Sequence, residues 1–254
     1  MYRPLGPRSQ RGMFLPALVL LLAATGLGWL LARQDSPASR DLAREMRTAQ
    51  ALLTAREALI GFAATYRNNE HPNADFGYLP CPDLDGDGSS ETCGSKDQTS
   101  VGRLPYLTLN LPDLRDGAGE CLWYAVSGSF KNNPKADTLN WDSTGKLRLL
   151  DANGLPLMLP DDEAGLAAAI VIAAGPPRPG QERSAGPERC GGDAEARNIA
   201  QYVEALGNRA DNELIDVRAL AGNDRIVTIT TGEIYRQLKR RASYAPWLQR
   251  VFQA

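Results

Sequence analysis

The stretch MFLPALVLLLAATGLGWLLA, residues 13–32, decides the organisation of this chain, because it runs for twenty residues without a charged side chain. At about 1.5 Å per helical residue it reaches roughly 30 Å, the thickness of the hydrocarbon core of a bilayer. The leader over residues 1–12 contains Arg3, Arg8 and Arg11 and no acidic residue. We therefore predict a single-pass transmembrane helix over residues 13–32, with its N-terminus in the cytoplasm and the rest of the chain in a periplasm or beyond.

The composition of the whole chain is that of a globular protein. Hydrophobic residues make up 43% of the chain and charged residues 23%, values that exclude wholesale disorder. The formal net charge is −2 and no basic block lies outside the leader, which argues against nucleic acid as a partner. The 24 glycines and 17 prolines indicate a domain with many turns.

Residues 33–67 carry the pattern of an amphipathic helix. Ser36 is a suitable N-cap and Pro37 a suitable first helical residue. Apolar side chains then recur at intervals of three, four or seven residues, at Leu42, Met46, Ala49, Leu53, Ile60 and Ala63. We expect this face to pack on the domain's own sheet, with packing on a partner helix as an alternative for its N-terminal half.

Residues 68–254 are expected to form one head domain. Short apolar runs bounded by turn formers predict strands over residues 120–127, 146–151, 166–174 and 225–230. Thr231, followed by Glu233, predicts the start of a closing helix. Because the connections are short or loop-like, we expect an antiparallel sheet against the long helix, which is an α+β fold.

The cysteines Cys81, Cys93, Cys121 and Cys190 fit an exported domain with two disulfides. Four cysteines allow three connectivities. The sequence favours Cys81–Cys93, which brackets a glycine-rich loop, together with Cys121–Cys190, which ties a proline-rich loop to the core. A zinc site is a weaker alternative, because the chain has no C-x-x-C motif and a single histidine.

The sharpest chemical motif is CPDLDGDGSSETC, residues 81–93. Three aspartates at a spacing of two, followed by a glycine, match the first half of a calcium loop of the EF-hand type. Gly88 allows the sharp turn of such a loop. The candidate Ca²⁺ ligands are Asp83, Asp85, Asp87, Ser89 through its backbone carbonyl, and Glu91.

The motif departs from an EF-hand at two points. Position twelve of the loop is Gly94 instead of glutamate, so a bidentate ligand would have to come from elsewhere, with Asp75 and Asp97 as candidates. No helix signal precedes the loop. A solvated Asp/Gly turn closed by a disulfide therefore stays open as the alternative.

The chain offers few candidates for catalysis. His71 is the single histidine and lies in a predicted loop. The sequence contains no nucleophile-elbow, zincin or P-loop motif, and nothing singles out one acidic pair. We therefore predict that the chain is not an enzyme.

Three groups of residues resemble the type IV pilin-like proteins, which include minor pilins and the pseudopilins of type II secretion. The first is the basic leader that ends at Gly12, followed by the apolar and amphipathic segments. The second is DGAGECLWYAV, residues 116–126, which is similar to a pseudopilin stretch but has Ala118 where tryptophan is usual. The third is LPCPD, residues 79–83, with GRLP, residues 102–105, which are similar to signatures of prepilin-like exported proteins.

This resemblance, which covers residues 12 to about 127, implies a structural function. In that family a prepilin peptidase on the cytoplasmic side cuts after the glycine, here Gly12, and methylates the new N-terminal residue, here Met13. The subunit is held in the inner membrane until it assembles with other pilin or pseudopilin subunits into a type IV pilus or a secretion filament.

Two departures from the family pattern concern the position of the subunit in a filament and the continuity of its helix. Major pilins carry a glutamate five residues after the cleaved glycine, where this chain has Ala17. This resembles minor pilins at or near the filament tip, which need no subunit ahead of them. Ser36 and Pro37 interrupt what is usually one continuous helix.

The alternative function is a membrane-anchored periplasmic calcium-binding domain, enzymatic or not.

Overall fold

The computed structural model contains four α-helices and seven β-strands in the part of the chain that it describes. The helices are α1 (Phe14–Gln34), α2 (Pro37–Asn69), α3 (Thr231–Lys239) and α4 (Tyr244–Gln253). The strands are β1 (Ser100–Arg103), β2 (Trp123–Val126), β3 (Leu147–Leu150), β4 (Leu166–Ala167), β5 (Ala169–Ala173), β6 (Ile215–Arg218) and β7 (Arg225–Ile229). The structure describes residues 14–34, 36–69, 75–135, 139–162, 165–183, 190, 197–206, 214–219 and 221–253.

The chain divides into two units, Met1–Arg44 and Glu45–Ala254. Helix α1 belongs to the first unit, and every strand belongs to the second. Within the first unit the Oγ atom of Ser36 accepts a hydrogen bond from the N–H group of Ser39 (3.2 Å). Ser36 therefore caps the start of α2, with Pro37 as the first helical residue, as the sequence predicts.

The predicted transmembrane helix over residues 13–32 is wrong. In the described part of the chain, no helix is both long and apolar enough to cross a membrane.

Two sheets form the centre of the second unit. The larger sheet is antiparallel, with the strand order β1-β2-β5-β7. The smaller sheet has the order β4-β3-β6, in which β3 is antiparallel to β4 and parallel to β6. The α+β class is therefore correct, but the predicted antiparallel sheet is only part of it, since the smaller sheet is mixed.

The larger sheet separates two hydrophobic cores, because side chains alternate between the faces of a strand. On β2, Tyr124 and Val126 lie in a core that includes residues of α2, α3 and α4. Trp123 and Ala125 lie in a second core, which includes Leu147 and other residues of the smaller sheet. The second unit thus has three layers, with the larger sheet in the middle.

Helix α2 packs its C-terminal half against the larger sheet. The buried positions recur at helical spacing, at Leu52, Ala55, Leu59, Phe62, Ala63 and Tyr66. Beside this face, Arg56 donates through Nε to the carbonyl oxygen of Thr228 (3.0 Å) and forms an ion pair with Glu233. The predicted apolar face is correct in part, since Ala63 is buried and Ile60 packs against the core, whereas Met46 and Leu53 are exposed.

The predicted strands are present in shorter form. The run over residues 166–174 is divided into β4 and β5 at Ala168, whose N–H group donates to the carbonyl oxygen of Ile229 (2.8 Å). The cap of α3 is Thr230, one residue before the predicted one, in a reciprocal capping box with Glu233. Strands β1 and β6 and helix α4 were not predicted.

Both disulfides are present, with the pairing that the sequence favoured. Cys81 pairs with Cys93 and Cys121 with Cys190, at Cα–Cα distances of 5.8 and 5.5 Å. No cysteine is free. The alternative of a zinc site made of thiolates is therefore excluded.

A pair of leucines on α2 tests the packing of this helix. Leu59 is 0% exposed and Leu53 is 48% exposed. We expect Leu59→Ala to lower the free energy of unfolding by about 2–5 kcal/mol, because it opens a cavity under the helix. Leu53→Ala is the matched control and should cost less than about 1 kcal/mol. Denaturant unfolding followed by circular dichroism measures both, and equal losses would contradict the packing.

A second test concerns the buried carboxylate of Asp224. Its Oδ2 atom accepts hydrogen bonds from the N–H groups of Glu204 (2.8 Å) and Ala205 (2.7 Å), while its Oδ1 atom is buried without a partner among the described residues. Burial raises the pKa of Asp224 to about 7, with a smaller rise from the charge of Glu204 and an opposing effect of Arg183. The folded state therefore holds this proton more tightly than the unfolded state does.

We expect the stability that depends on this proton to be complete below about pH 4 and to be lost as the pH rises to about 7. The loss should reach at most about 4 kcal/mol. Asp224→Asn removes the titration, so the difference in free energy of unfolding between pH 5 and pH 8 should be smaller in the variant than in the parent. The same difference in both proteins would show that Asp224 titrates normally.

Candidate metal centre

Four carboxylates converge in the loop between Cys81 and Cys93. Asp83, Asp85, Asp87 and Glu91 each place one oxygen within 4.8 Å of the others. Asp83 is buried, Glu91 is half-buried, and the other two are exposed. The structure thus brings together all four of the carboxylate ligands that the sequence predicts.

Local hydrogen bonds turn the aspartates toward one another. The two carboxylate oxygens of Asp83 accept from the N–H groups of Gly86 (2.6 Å) and Gly88 (2.8 Å). Asp85 accepts from the N–H group of Asp87 (3.1 Å), and Asp87 from that of Ser89 (2.6 Å). Each is a turn in which an aspartate binds the backbone a few residues ahead, so the sequence itself curls the loop around its carboxylates.

Glu91 closes the loop from its other end. One of its carboxylate oxygens accepts from the N–H group of Leu84 (2.6 Å). Gly88 has a φ of +91°, and a Cβ atom there would lie 2.6 Å from the ring of Tyr106. Both the backbone conformation and the close ring therefore require glycine at the predicted sharp turn.

The loop is fastened to the domain at several points. Asp83 exchanges two backbone hydrogen bonds with Arg103 of β1, at 3.0 and 2.9 Å. The guanidinium of Arg197 donates to the carbonyl oxygen of Asp85 (2.8 Å). Lys131 is buried, and its ammonium donates to the carbonyl oxygens of Cys93 and Ser95. Hydrogen bonds from residues outside the loop therefore help to hold the carboxylates together, in addition to the disulfide that joins the two ends of the loop.

Burial, and to a smaller extent the charges of the loop, raise the pKa of two of its carboxyl groups. Burial raises the pKa of Asp83, against the two backbone hydrogen bonds and with a further rise from Asp85 and Asp87. Burial likewise raises the pKa of Glu91, with further rises from the three aspartates. A cation among these oxygens would relieve both effects. A donor set of oxygens alone suits a hard cation such as Ca²⁺.

Neither residue predicted to complete the coordination does so in this structure. Asp97 forms an ion pair with Lys146 (2.6 Å), and the cluster of described carboxylates does not include Asp75. Position twelve stays without a carboxylate, since it is Gly94. The loop thus offers a partial set of protein ligands, which solvent can complete at the exposed Asp85 and Asp87.

A second group of candidate ligands, Asp113, Cys121 and Cys190, also lies within 4.8 Å. Its two cysteines form a disulfide, so they offer no thiolate to a metal. The loop of residues 81–93, called the acidic loop below, is therefore the better metal centre among the described residues.

Asp116, the first residue of the stretch 116–126, has a structural role. The carboxylate of Asp116 accepts from the N–H groups of Ala118 (2.8 Å), Glu120 (2.9 Å) and Gly175 (2.8 Å). It holds the turn that leads into β2 and ties it to the loop after β5. Gly12, Met13 and His71, which the sequence analysis connected with processing and catalysis, lie outside the described residues.

Comparison with protein families, with curated proteins and with solved structures finds no match to this chain. The resemblance to pilin-like proteins therefore stays a prediction from the residues.

Calcium should stabilise the domain if the acidic loop binds it. At a Ca²⁺ concentration one hundred times the Kd, we expect a gain of about 2.7 kcal/mol, or roughly 5–10 °C in melting temperature, over the protein in a chelator. The double variant Asp85→Asn/Asp87→Asn should lose this gain, because it removes two charges and keeps the oxygens that accept the backbone bonds. Asp142→Asn, at an exposed position outside the loop, is the control and should keep it. Equal melting temperatures with and without Ca²⁺ would leave the loop as a plain turn.

Proposed function

We propose that this chain is a structural subunit of a pilin-like filament, with no catalytic activity. The observation that carries the proposal is the surface of α1. Leu18, Val19, Leu20, Leu21 and Leu22 are between 57% and 70% exposed. Successive residues of an α-helix are rotated by about 100° around its axis, so five consecutive side chains point in all directions around it. This part of α1 therefore has no polar face.

An apolar helix without a polar face must bury its side chains away from water. In the proposed filament, α1 buries them against the same helix of neighbouring subunits. Burying a large apolar side chain fully is worth about 1.5–3 kcal/mol, and α1 carries several of them. Helix packing of this kind would make α1 the assembly element of the subunit.

The second unit supports the proposal as a head domain that is cross-linked by two disulfides. The C-terminal half of α2 packs on an antiparallel sheet, as the order of the elements in the sequence predicts. Two disulfides fasten its loops. Such cross-links suit a domain that works outside the cytoplasm, on a fibre exposed to an oxidising medium.

Calcium is the cofactor that we propose for the head, with Asp83, Asp85, Asp87 and Glu91 as carboxylate ligands. The convergence of their oxygens within 4.8 Å supports it. The backbone carbonyl of Ser89 was predicted as a further ligand. A calcium-binding domain that does not assemble is the second candidate function, and it shares the metal centre but not the role of α1.

An assembly experiment separates the two candidates. We expect the full chain, produced together with a prepilin peptidase and a filament-assembly system, to appear in the sheared filament fraction. Leu20→Glu should remove it from that fraction, because a buried charge opposes packing of α1. Leu155→Glu, at a leucine of the second unit that is 63% exposed, is the matched control and should assemble normally.

The same cells test the processing step. The wild-type chain should lose residues 1–12 when the peptidase is present, and Gly12→Lys should remain uncleaved, as intact mass shows. Identical masses with and without the peptidase, or assembly of Leu20→Glu at the normal level, would contradict the filament proposal and leave a calcium-binding domain.

A further inference from the structure

The larger sheet has two edges, which differ in how the chain treats them. At the β1 edge, Arg103 exchanges two backbone hydrogen bonds with Asp83, at 3.0 and 2.9 Å. At the other edge, β7 pairs with β5 on one side and with no strand of the described residues on the other. An open edge of this kind presents backbone donors and acceptors to a further strand.

The register of β7 shows which of its backbone groups point outward. The carbonyl oxygen of Ile229 accepts from the N–H group of Ala168, next to β5 (2.8 Å). Because the backbone groups of successive residues in an antiparallel strand point to opposite sides, those of Thr228 and Ile226 point away from β5. The carbonyl oxygen of Thr228 agrees with this direction, since it accepts from Nε of Arg56 on α2 (3.0 Å).

Three of these outward groups are open. They are the N–H and carbonyl groups of Ile226 and the N–H group of Thr228, which form no hydrogen bond within the part of the chain that the structure describes. They lie along one edge of one strand, two residues apart, which is the spacing at which a neighbouring strand forms its hydrogen bonds. The β7 edge can therefore accept a further strand.

A groove of about 440 Å³ runs beside these open groups. Residues 226–228 of β7 line it, with Leu53 of α2 on one side and Leu149 and Ala219 on the side of the smaller sheet. Leu53 is 48% exposed, so its side chain is accessible from the groove. A strand added to β7 would lie in the middle layer of the second unit, with alternate side chains toward Leu53 and toward Leu149.

The charged side chains at the groove are already paired. Arg56 and Glu233 are the two charged residues of the lining, and they form an ion pair with each other. At the start of β7, Arg225 pairs with Glu45 (3.1 Å). The lining therefore matches an uncharged segment, since a further charge would lose water there without gaining a partner.

A second copy of this chain fits the edge less well than a separate extended segment. If two β7 strands paired antiparallel around Val227, the N–H group of Ile226 in each copy would donate to the carbonyl oxygen of Thr228 in the other. The guanidinium of Arg56 already binds that oxygen in each copy. A single segment can pair with the three open groups and leave this contact intact.

We propose that the β7 edge binds an extended segment of a partner protein by strand addition, and that the centre of this segment carries uncharged, apolar side chains. Backbone hydrogen bonds to Ile226 and Thr228 would hold the segment, and contacts with Leu53 and Leu149 would select its side chains. The proposal depends neither on calcium nor on the packing of α1 in a filament.

The test uses the full chain in a mild detergent with EDTA and a synthetic peptide, Thr-Val-Ile-Val-Thr, with two lysines at each end. A second peptide carries N-methyl groups on its three central residues, so it keeps the side chains and loses the backbone donors. We expect the first peptide to bind saturably by fluorescence anisotropy and to slow hydrogen exchange of the N–H groups of Ile226 and Thr228. The second should bind at least tenfold more weakly.

Three outcomes of the peptide experiment would overturn the proposal. They are the absence of saturable binding by the first peptide, equal binding by both peptides, and binding that leaves hydrogen exchange in β7 unchanged. The last two would show that the peptide adheres through its side chains or binds elsewhere.

Three variants locate the binding. Thr228→Pro removes one open N–H group at an edge position, where proline is tolerated, and it should raise the Kd at least tenfold. Leu53→Lys should also weaken binding, because it places a charge in the apolar wall without altering the backbone. Leu155→Lys, at a leucine that is 63% exposed outside the groove, is the matched control and should bind like the parent.

Unchanged binding by the folded Leu53→Lys and Thr228→Pro proteins would contradict the assigned site. Sedimentation of the chain without peptide tests the other occupant. An oligomer that Thr228→Pro dissociates would show that a second copy occupies the edge and would overturn the proposal.

Discussion

The structure of the second unit depends on the burial of β5 on both of its faces. All five of its residues are buried, and it pairs with β2 on one side and β7 on the other. Val171 lies in the core beneath the helices, whereas Ile170 and Ile172 lie in the core beneath the smaller sheet. A strand with no solvent face needs a layer on each side, so α2 and the smaller sheet are both necessary to it.

A disulfide and several hydrogen bonds join the loops to this apolar centre. Cys121 stands two residues before β2 and binds Cys190 in a loop far along the chain. Asp116 ties the same region to Gly175, after β5. The buried ammonium of Lys131 holds the carbonyl oxygens of Cys93 and Ser95. A domain rich in glycine and proline gains little from regular hydrogen bonding in its loops, so these few contacts determine where the loops lie.

Features that depend on neighbouring residues were predictable from the sequence, and features that depend on distant ones were not. The apolar runs of β5 and β7 and the turns of the acidic loop follow from local patterns. Strand β1 has the sequence Ser-Val-Gly-Arg, and nothing local indicates that Arg103 is buried, because the rings that cover it come from Trp123 and Tyr202.

The same distinction explains the failures at the metal centre and in the N-terminal segment. Asp97 was a candidate ligand because it lies close to the loop in the sequence, but it forms an ion pair with Lys146, the residue before β3. The transmembrane prediction depended on the length of an uncharged run alone, and no helix among the described residues is both long and apolar enough to cross a membrane. In α2 the apolar positions were recognised, but the choice between Leu52 and Leu53 as the buried one depends on where the sheet lies.

The anchors of the acidic loop bear on how it would respond to an ion. Four carboxylates within 4.8 Å repel one another, and a free loop would relieve this by opening. Here the bond from Cys81 to Cys93, the backbone pairing of Asp83 with Arg103 and the contact from Arg197 to Asp85 oppose such opening. The loop is therefore already ordered before an ion binds. An ion would act mainly by removing the repulsion between the carboxylates. A metal centre of this kind changes the stability of a domain more than its shape, which suits a structural subunit better than a switch.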